Sequence, residues 1–118
     1  MQTRTIGPFT VSAIGLGAMP VSMNGDGVLP DRDDAIATVH AALDAGVTFI
    51  DTADIYAPSW DTMGHNEQIV RDALASWHGD SSSILVATKG GITRDEHKDF
   101  GRDGSLDYLR RAAEAKVL

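Results

Sequence analysis

Three short apolar runs alternate with longer amphipathic stretches. Ala13 to Gly17, Val47 to Ile50 and Ile84 to Ala87 are runs of apolar residues too short for helices. Each has the length of a strand, and Val47–Ile50 reads as one buried on both faces. Between them, Ile36, Val39 and Leu43 recur at helical spacing within Asp31–Ala45. The acids Asp31, Asp33 and Asp34 sit at the positive end of that predicted helix, and Gly46 follows it as a stop. A second helix is predicted from about Asn66 to Trp77, with Ile69, Ala73, Leu74 and Trp77 on one face, Asn66 as N-cap and Gly79 as stop. A third begins after Ser105, with Leu106, Leu109, Ala113 and Val117 as its apolar face. Ahead of all this, Thr3–Ile6 and Phe9–Val11 flank Gly7-Pro8, a turn signal that predicts a hairpin.

Strand alternating with helix predicts a parallel sheet with right-handed crossovers. The segments after the strands are long and polar (Ala18–Pro30, Thr52–His65, Gly90–Gly104), while the helix-to-strand returns are short. Functional loops are therefore expected on the rim at the C-terminal ends of the strands. The fold class read from this order is α/β: a hairpin plus three βα units in one segment, 1–118, with no interdomain linker.

Composition narrows the partners. Seventeen acids against ten lysines and arginines leave a formal charge of −7, which disfavours nucleic acid and anionic membrane. The absence of cysteine excludes disulfides, thiolate metal sites and a thiol nucleophile. No signal-peptide pattern or membrane-length apolar run is visible, so a cytoplasmic location is expected.

Two polar residues close the second and third strands: Asp51 after VTFI and Lys89 after ILVAT. Tyr56 follows Asp51 at five residues' distance. An acid, a phenol and an ammonium on one rim can make a proton donor, because a nearby cation favours the phenolate and makes the phenol a better acid. The bland alternative is a surface tyrosine beside a rim salt bridge. Gly15-Leu16-Gly17-Ala18-Met19 does not make a dinucleotide fingerprint, since the third glycine and an immediately following helix are missing. The segment Asn24-Gly25-Asp26-Gly27 lacks the alternating ligands of a calcium loop. No two histidines stand three or four residues apart as a metal pair would, and no metal site is expected. Trp60 reads equally as a pocket wall or a loop anchor.

The motifs GLGAMPVS, ALDAGVTFIDTADIY, GHNEQIVRDAL, ILVATKGG and GRDGSLDYLRRAAEA run through essentially the whole chain. Together they resemble the N-terminal part of an aldo-keto reductase. The resemblance implies a partial eight-stranded (β/α)8 TIM barrel, capped at its bottom by the hairpin. It implies NADPH-dependent reduction of aldehydes and ketones to alcohols, with Asp51, Tyr56 and Lys89 as catalytic residues. It also implies Gly17, Ala18, Met19 and Asp51 as contacts of the nicotinamide end of NADP(H). At Met19 a plain turn with core filler stands beside that reading. The family's catalytic histidine at the end of a fourth strand has no counterpart here, and the tail AEAKVL departs from the family's arginine-rich continuation. A barrel takes about 250 residues. The reading is therefore an incomplete barrel, weak or inactive alone, with exposed edges able to self-associate. A truncation product or a non-catalytic binding module on the same fold is the alternative.

Overall fold

The computed structural model of the chain describes residues 1–116. Strands β1 (Thr3–Ile6) and β2 (Phe9–Ser12) form an antiparallel hairpin whose register runs from Thr3 opposite Ser12 to Ile6 opposite Phe9. Gly7 takes the turn at φ +57°, where a side chain would be strained. The hairpin is tied to the sheet by a reciprocal pair: the Ser12 amide donates to Thr48 Oγ1 at 2.8 Å, and the Thr48 amide to Ser12 Oγ at 2.9 Å.

The parallel sheet is β3 (Leu16–Gly17), β4 (Phe49–Asp51) and β5 (Leu85–Ala87), in that order. Ile50 pairs with Leu16 on one side and Val86 on the other. These three alternate positions face helices α1 (Arg32–Asp44) and α2 (His65–Ser76). There Ile50 packs with Val39, Leu43, Val70 and Ala73, all buried, and with the partly buried Leu16 and Val86. The intervening positions, Gly17, Phe49 and Asp51 among them, look toward the side that carries no helix. Among the described residues the strands are covered by helix on one face only, where the continuous apolar run Val47–Ile50 had predicted burial on both. Asp31 caps α1 by accepting from the Asp34 amide at 2.9 Å, and Gly46 follows its C-terminus at φ +94°.

Three further sequence expectations change. The residue at the N-cap of α2 is Gly64, not Asn66. Asn66 lies inside the first turn and is fully buried, because its amide is engaged by the rim loops. The segment 90–104, read as a loop, contains an antiparallel hairpin, β6 (Ile92–Arg94) and β7 (Phe100–Arg102). Helix α3 (Leu106–Glu114) does start after its Ser105 cap. Yet Leu106 is 71% exposed, and Tyr108, Ala112 and Lys116 are the positions turned inward. Lys116 is drawn in by buried carboxylates, which decides the face. Val117 lies outside the described residues. Among those described, no helix is long and apolar enough to cross a membrane.

Candidate active site

Backbone pairing at the end of the sheet continues into the rim loops and sets the site. The Ala18 amide donates to Asp51 O at 2.9 Å, and the Thr52 amide to Ala87 O at 2.9 Å. These bonds bring the residues that follow β3, β4 and β5 onto one edge. Lys89, two residues beyond β5, folds back over it. Its Nζ donates to Asp51 Oδ1 at 3.0 Å, to Asp51 Oδ2 at 2.8 Å and to the Thr52 carbonyl at 2.9 Å. The same nitrogen stands 4.7 Å from the centroid of the Tyr56 ring. Asp51, Tyr56 and Lys89 therefore converge. Burial pulls the Lys89 ammonium toward a lower pKa, but Asp51 and Tyr56 outweigh it and the net shift is upward from 10.5. Lys89 is a firmly charged cation at neutral pH.

Tyr56 is fixed from both sides of its backbone. Its amide donates to Ala53 O at 3.3 Å, and its carbonyl accepts from the Asn66 amide at 3.1 Å. Beneath it, the Asn66 side chain accepts from Thr52 Oγ1 at 2.6 Å and donates to Ala18 O at 2.8 Å and Ser22 Oγ at 2.9 Å. One buried amide thus joins the loops after β3 and β4. His65 Nδ1 is engaged by Ser22 Oγ at 2.8 Å, which ties it to the same support rather than to Tyr56.

In front of Tyr56 opens a cavity of 650 Å³ lined by Met23, Ile55, Ile92, Phe100, Gly101 and Arg102. Its walls are mostly apolar, and with Tyr56 counted, four of the seven lining residues come from the β6–β7 hairpin. The sequence reading missed this wall. The available signal was the pair of short β-prone stretches, ITR and FGR, around the polar Asp95–Asp99 turn.

The candidate cofactor residues divide. Gly17 stands opposite Asp51 in the parallel register, with open space where a Cβ would be. Met19 is 39% exposed. Ala18 is only 1% exposed and belongs to the core, with its amide and carbonyl taken by Asp51 and Asn66. Gly17 thus leaves an open strip beside the Asp51 carboxylate.

The match to the family model for the aldo/keto reductase family runs over residues 13–117. The chain belongs to the aldo/keto reductase family. A 6-dehydroglucose reductase of Novosphingobium aromaticivorans is 39% identical over 103 residues, which are 86% of this chain and 31% of that protein. An uncharacterised oxidoreductase of Schizosaccharomyces pombe is 33% identical over 112 residues, 92% of this chain and 33% of the relative. The holo form of an aldo-keto reductase from Bacillus halodurans superposes with a TM-score of 0.72 at 30% identity, over 97% of this chain and 34% of that one. The chain thus spans about a third of the length of these relatives. Its fold corresponds to a portion of the Bacillus halodurans structure.

Proposed function

We propose that this chain carries the proton-donating corner of an NADP(H)-dependent carbonyl reductase, which reduces aldehydes and ketones to alcohols. The observation that carries the reading is the Lys89 ammonium, clamped by both oxygens of Asp51 and set against the Tyr56 ring, in a member of this family.

The roles follow from charge and position. Tyr56 gives its hydroxyl proton to the carbonyl oxygen as the carbon–oxygen π bond breaks and a carbon–hydrogen bond forms. NADPH supplies the hydride when bound. Lys89 stabilises the negative charge left on the phenol oxygen, so the proton leaves more readily. Asp51 holds Lys89 and neutralises it in the resting site. Gly17, Met19 and Asp51 would border the nicotinamide end. Ala18 contributes through the backbone path that sets Gly17 and Met19. The apolar walls of Met23, Ile55, Ile92 and Phe100 would receive the carbon skeleton of a small carbonyl compound.

A rate enhancement needs cofactor, donor and carbonyl held together. The described parallel sheet has three strands, and on this reading it carries the donor and one end of the cofactor surface. The 118-residue chain is accordingly expected to bind NADPH weakly or undetectably and not to turn over. The test is a fluorescence titration with NADPH, then loss of reduced-nicotinamide absorbance with a nitrobenzaldehyde. The chain joined to the remaining strands of a family barrel should reduce the aldehyde, and Tyr56→Phe should abolish it. An inactive joined barrel, or full activity in Tyr56→Phe, overturns the reading.

A further inference from the structure

Directly behind Lys89 lies a group of charged side chains with no part in the chemistry above. Glu67, on α2, is 2% exposed, and Asp54, on the loop between Asp51 and Tyr56, is 8% exposed. Two carboxylates this deeply buried need a cation or a set of donors. Lys116, just past α3, supplies the cation. Its Nζ lies 2.9 Å from Glu67 Oε1 and 3.3 Å from Asp54 Oδ2, and its side chain is 17% exposed. Thr88 Oγ1 donates to the same Glu67 oxygen. The other oxygen of Asp54 has no hydrogen-bond partner, so Lys116 is its charge partner among the described residues.

The network reaches the site through the main chain. Lys116 Nζ donates to the Lys89 carbonyl at 3.3 Å, and the Asp54 amide donates to that same carbonyl at 3.3 Å. Gly90 follows, so close that a Cβ there would stand 3.0 Å from Asp54 Oδ2 and 3.3 Å from Ala112 Cβ on α3. Three segments of the chain therefore meet at the peptide that carries Lys89, and Glu67 of α2 joins them through Lys116.

We propose that Lys116 is a positioning residue. It joins the buried carboxylates of Asp54 and Glu67 to the Lys89 carbonyl, and so sets the Lys89 ammonium and the Tyr56-bearing loop relative to each other. The consequence for proton donation rests on the reductase reading; the positioning itself does not.

The test uses the 118-residue chain labelled with carbon-13 and nitrogen-15 in its lysine side chains and with carbon-13 in its tyrosine rings. The chain holds three lysines, Lys89, Lys98 and Lys116, and two tyrosines, Tyr56 and Tyr108. Lys98→Arg and Tyr56→Phe assign the signals. Lys116→Met is expected to shift or broaden the Lys89 Cε and Tyr56 ring signals while Lys98 stays in place, and Lys116→Arg should restore them. Leu43→Ala, which weakens the core beneath α1, should lower the melting temperature and leave both signals where they are. Unmoved Lys89 and Tyr56 signals in a folded Lys116→Met chain overturn the proposal. Equal movement in Leu43→Ala does so too, since the shift would then report general loosening. Where Lys116→Met does not fold, the unmutated chain decides. An Nζ signal of Lys116 in slow exchange with water supports the proposal, and one exchanging as fast as that of Lys98 overturns it. None of these measurements involves NADPH or a carbonyl, so a failure of the reductase reading shows separately, in the turnover assay.

Discussion

The Lys89 ammonium bridges both carboxylate oxygens of Asp51, at 3.0 and 2.8 Å, from the neighbouring parallel strand. That contact ties two strand ends into one charged unit beneath Tyr56. Removing the cation takes away the positive charge that stands 4.7 Å from the Tyr56 ring centroid, on which the proposed proton donation relies. In a completed barrel, Lys89→Met should lower turnover by about 10²–10⁴-fold, the range for a lost acid–base contribution. Stopped-flow measurement of the hydride-transfer step with and without the substitution checks this.

The pair also has a pH signature with a definite sign. Burial lowers the Lys89 pKa, but Asp51 and Tyr56 raise it more, leaving it above 10.5 in the folded chain. A group whose pKa is raised on folding contributes its stabilisation fully below its unfolded value. That contribution is lost as pH rises through the folded value. The Lys89 contacts should thus be intact across neutral pH and begin to fail only above about 10.5. A carbon-13 titration of the Lys89 side chain should show a midpoint above that value. Asp51→Asn should bring it down, since a hydrogen bond and a charge are both lost.

Asn66 carries more of the fold than its place in a helix suggests. It is fully buried and joins Ala18, Ser22 and Thr52 from two rim loops. Asn66→Ala would leave the Thr52 hydroxyl without its partner, while Ala18 O keeps the Val21 amide and Ser22 Oγ keeps His65; a buried polar group left so costs about 1–3 kcal/mol. The expected loss is about 1–3 kcal/mol, measured by urea unfolding followed by circular dichroism. A loss no larger than that of an exposed alanine substitution would show that water replaces the amide.

The sequence disclosed the parts of this architecture that local pattern controls. Asp51 and Lys89 stand out because each ends a short apolar run, and Gly7-Pro8 because few residues other than glycine accept its backbone. The rest depended on distant partners. Asn66 has the composition of an N-cap, and only the return of Ala18, 48 positions away, makes it a buried bridge. In α3 two stripes compete, Leu106–Leu109–Ala113 and Tyr108–Ala112–Lys116. Hydropathy favours the first, but the carboxylates of Asp54 and Glu67 select the second. The β6–β7 hairpin was hidden because its strands are three residues each and the DEHKD turn between them reads as loop.

The open sheet yields the final prediction. Strands β3 and β5 each have one neighbour among the described residues, so each presents unpaired amides and carbonyls along its other side. Such edges template pairing with another chain. Phe49 lies on the sheet face away from the helices, only partly buried, and Leu106 projects from α3. Apolar surface of this kind adds a driving force without adding specificity. The 118-residue chain is expected to self-associate, with a sedimentation mass that rises with concentration. Its melting temperature should rise with concentration as well, because association favours only the folded form. Joining the remaining strands of the barrel should abolish both effects by pairing the edges. A compact monomer with a cooperative, concentration-independent melt would show that the three-stranded sheet protects its own edges.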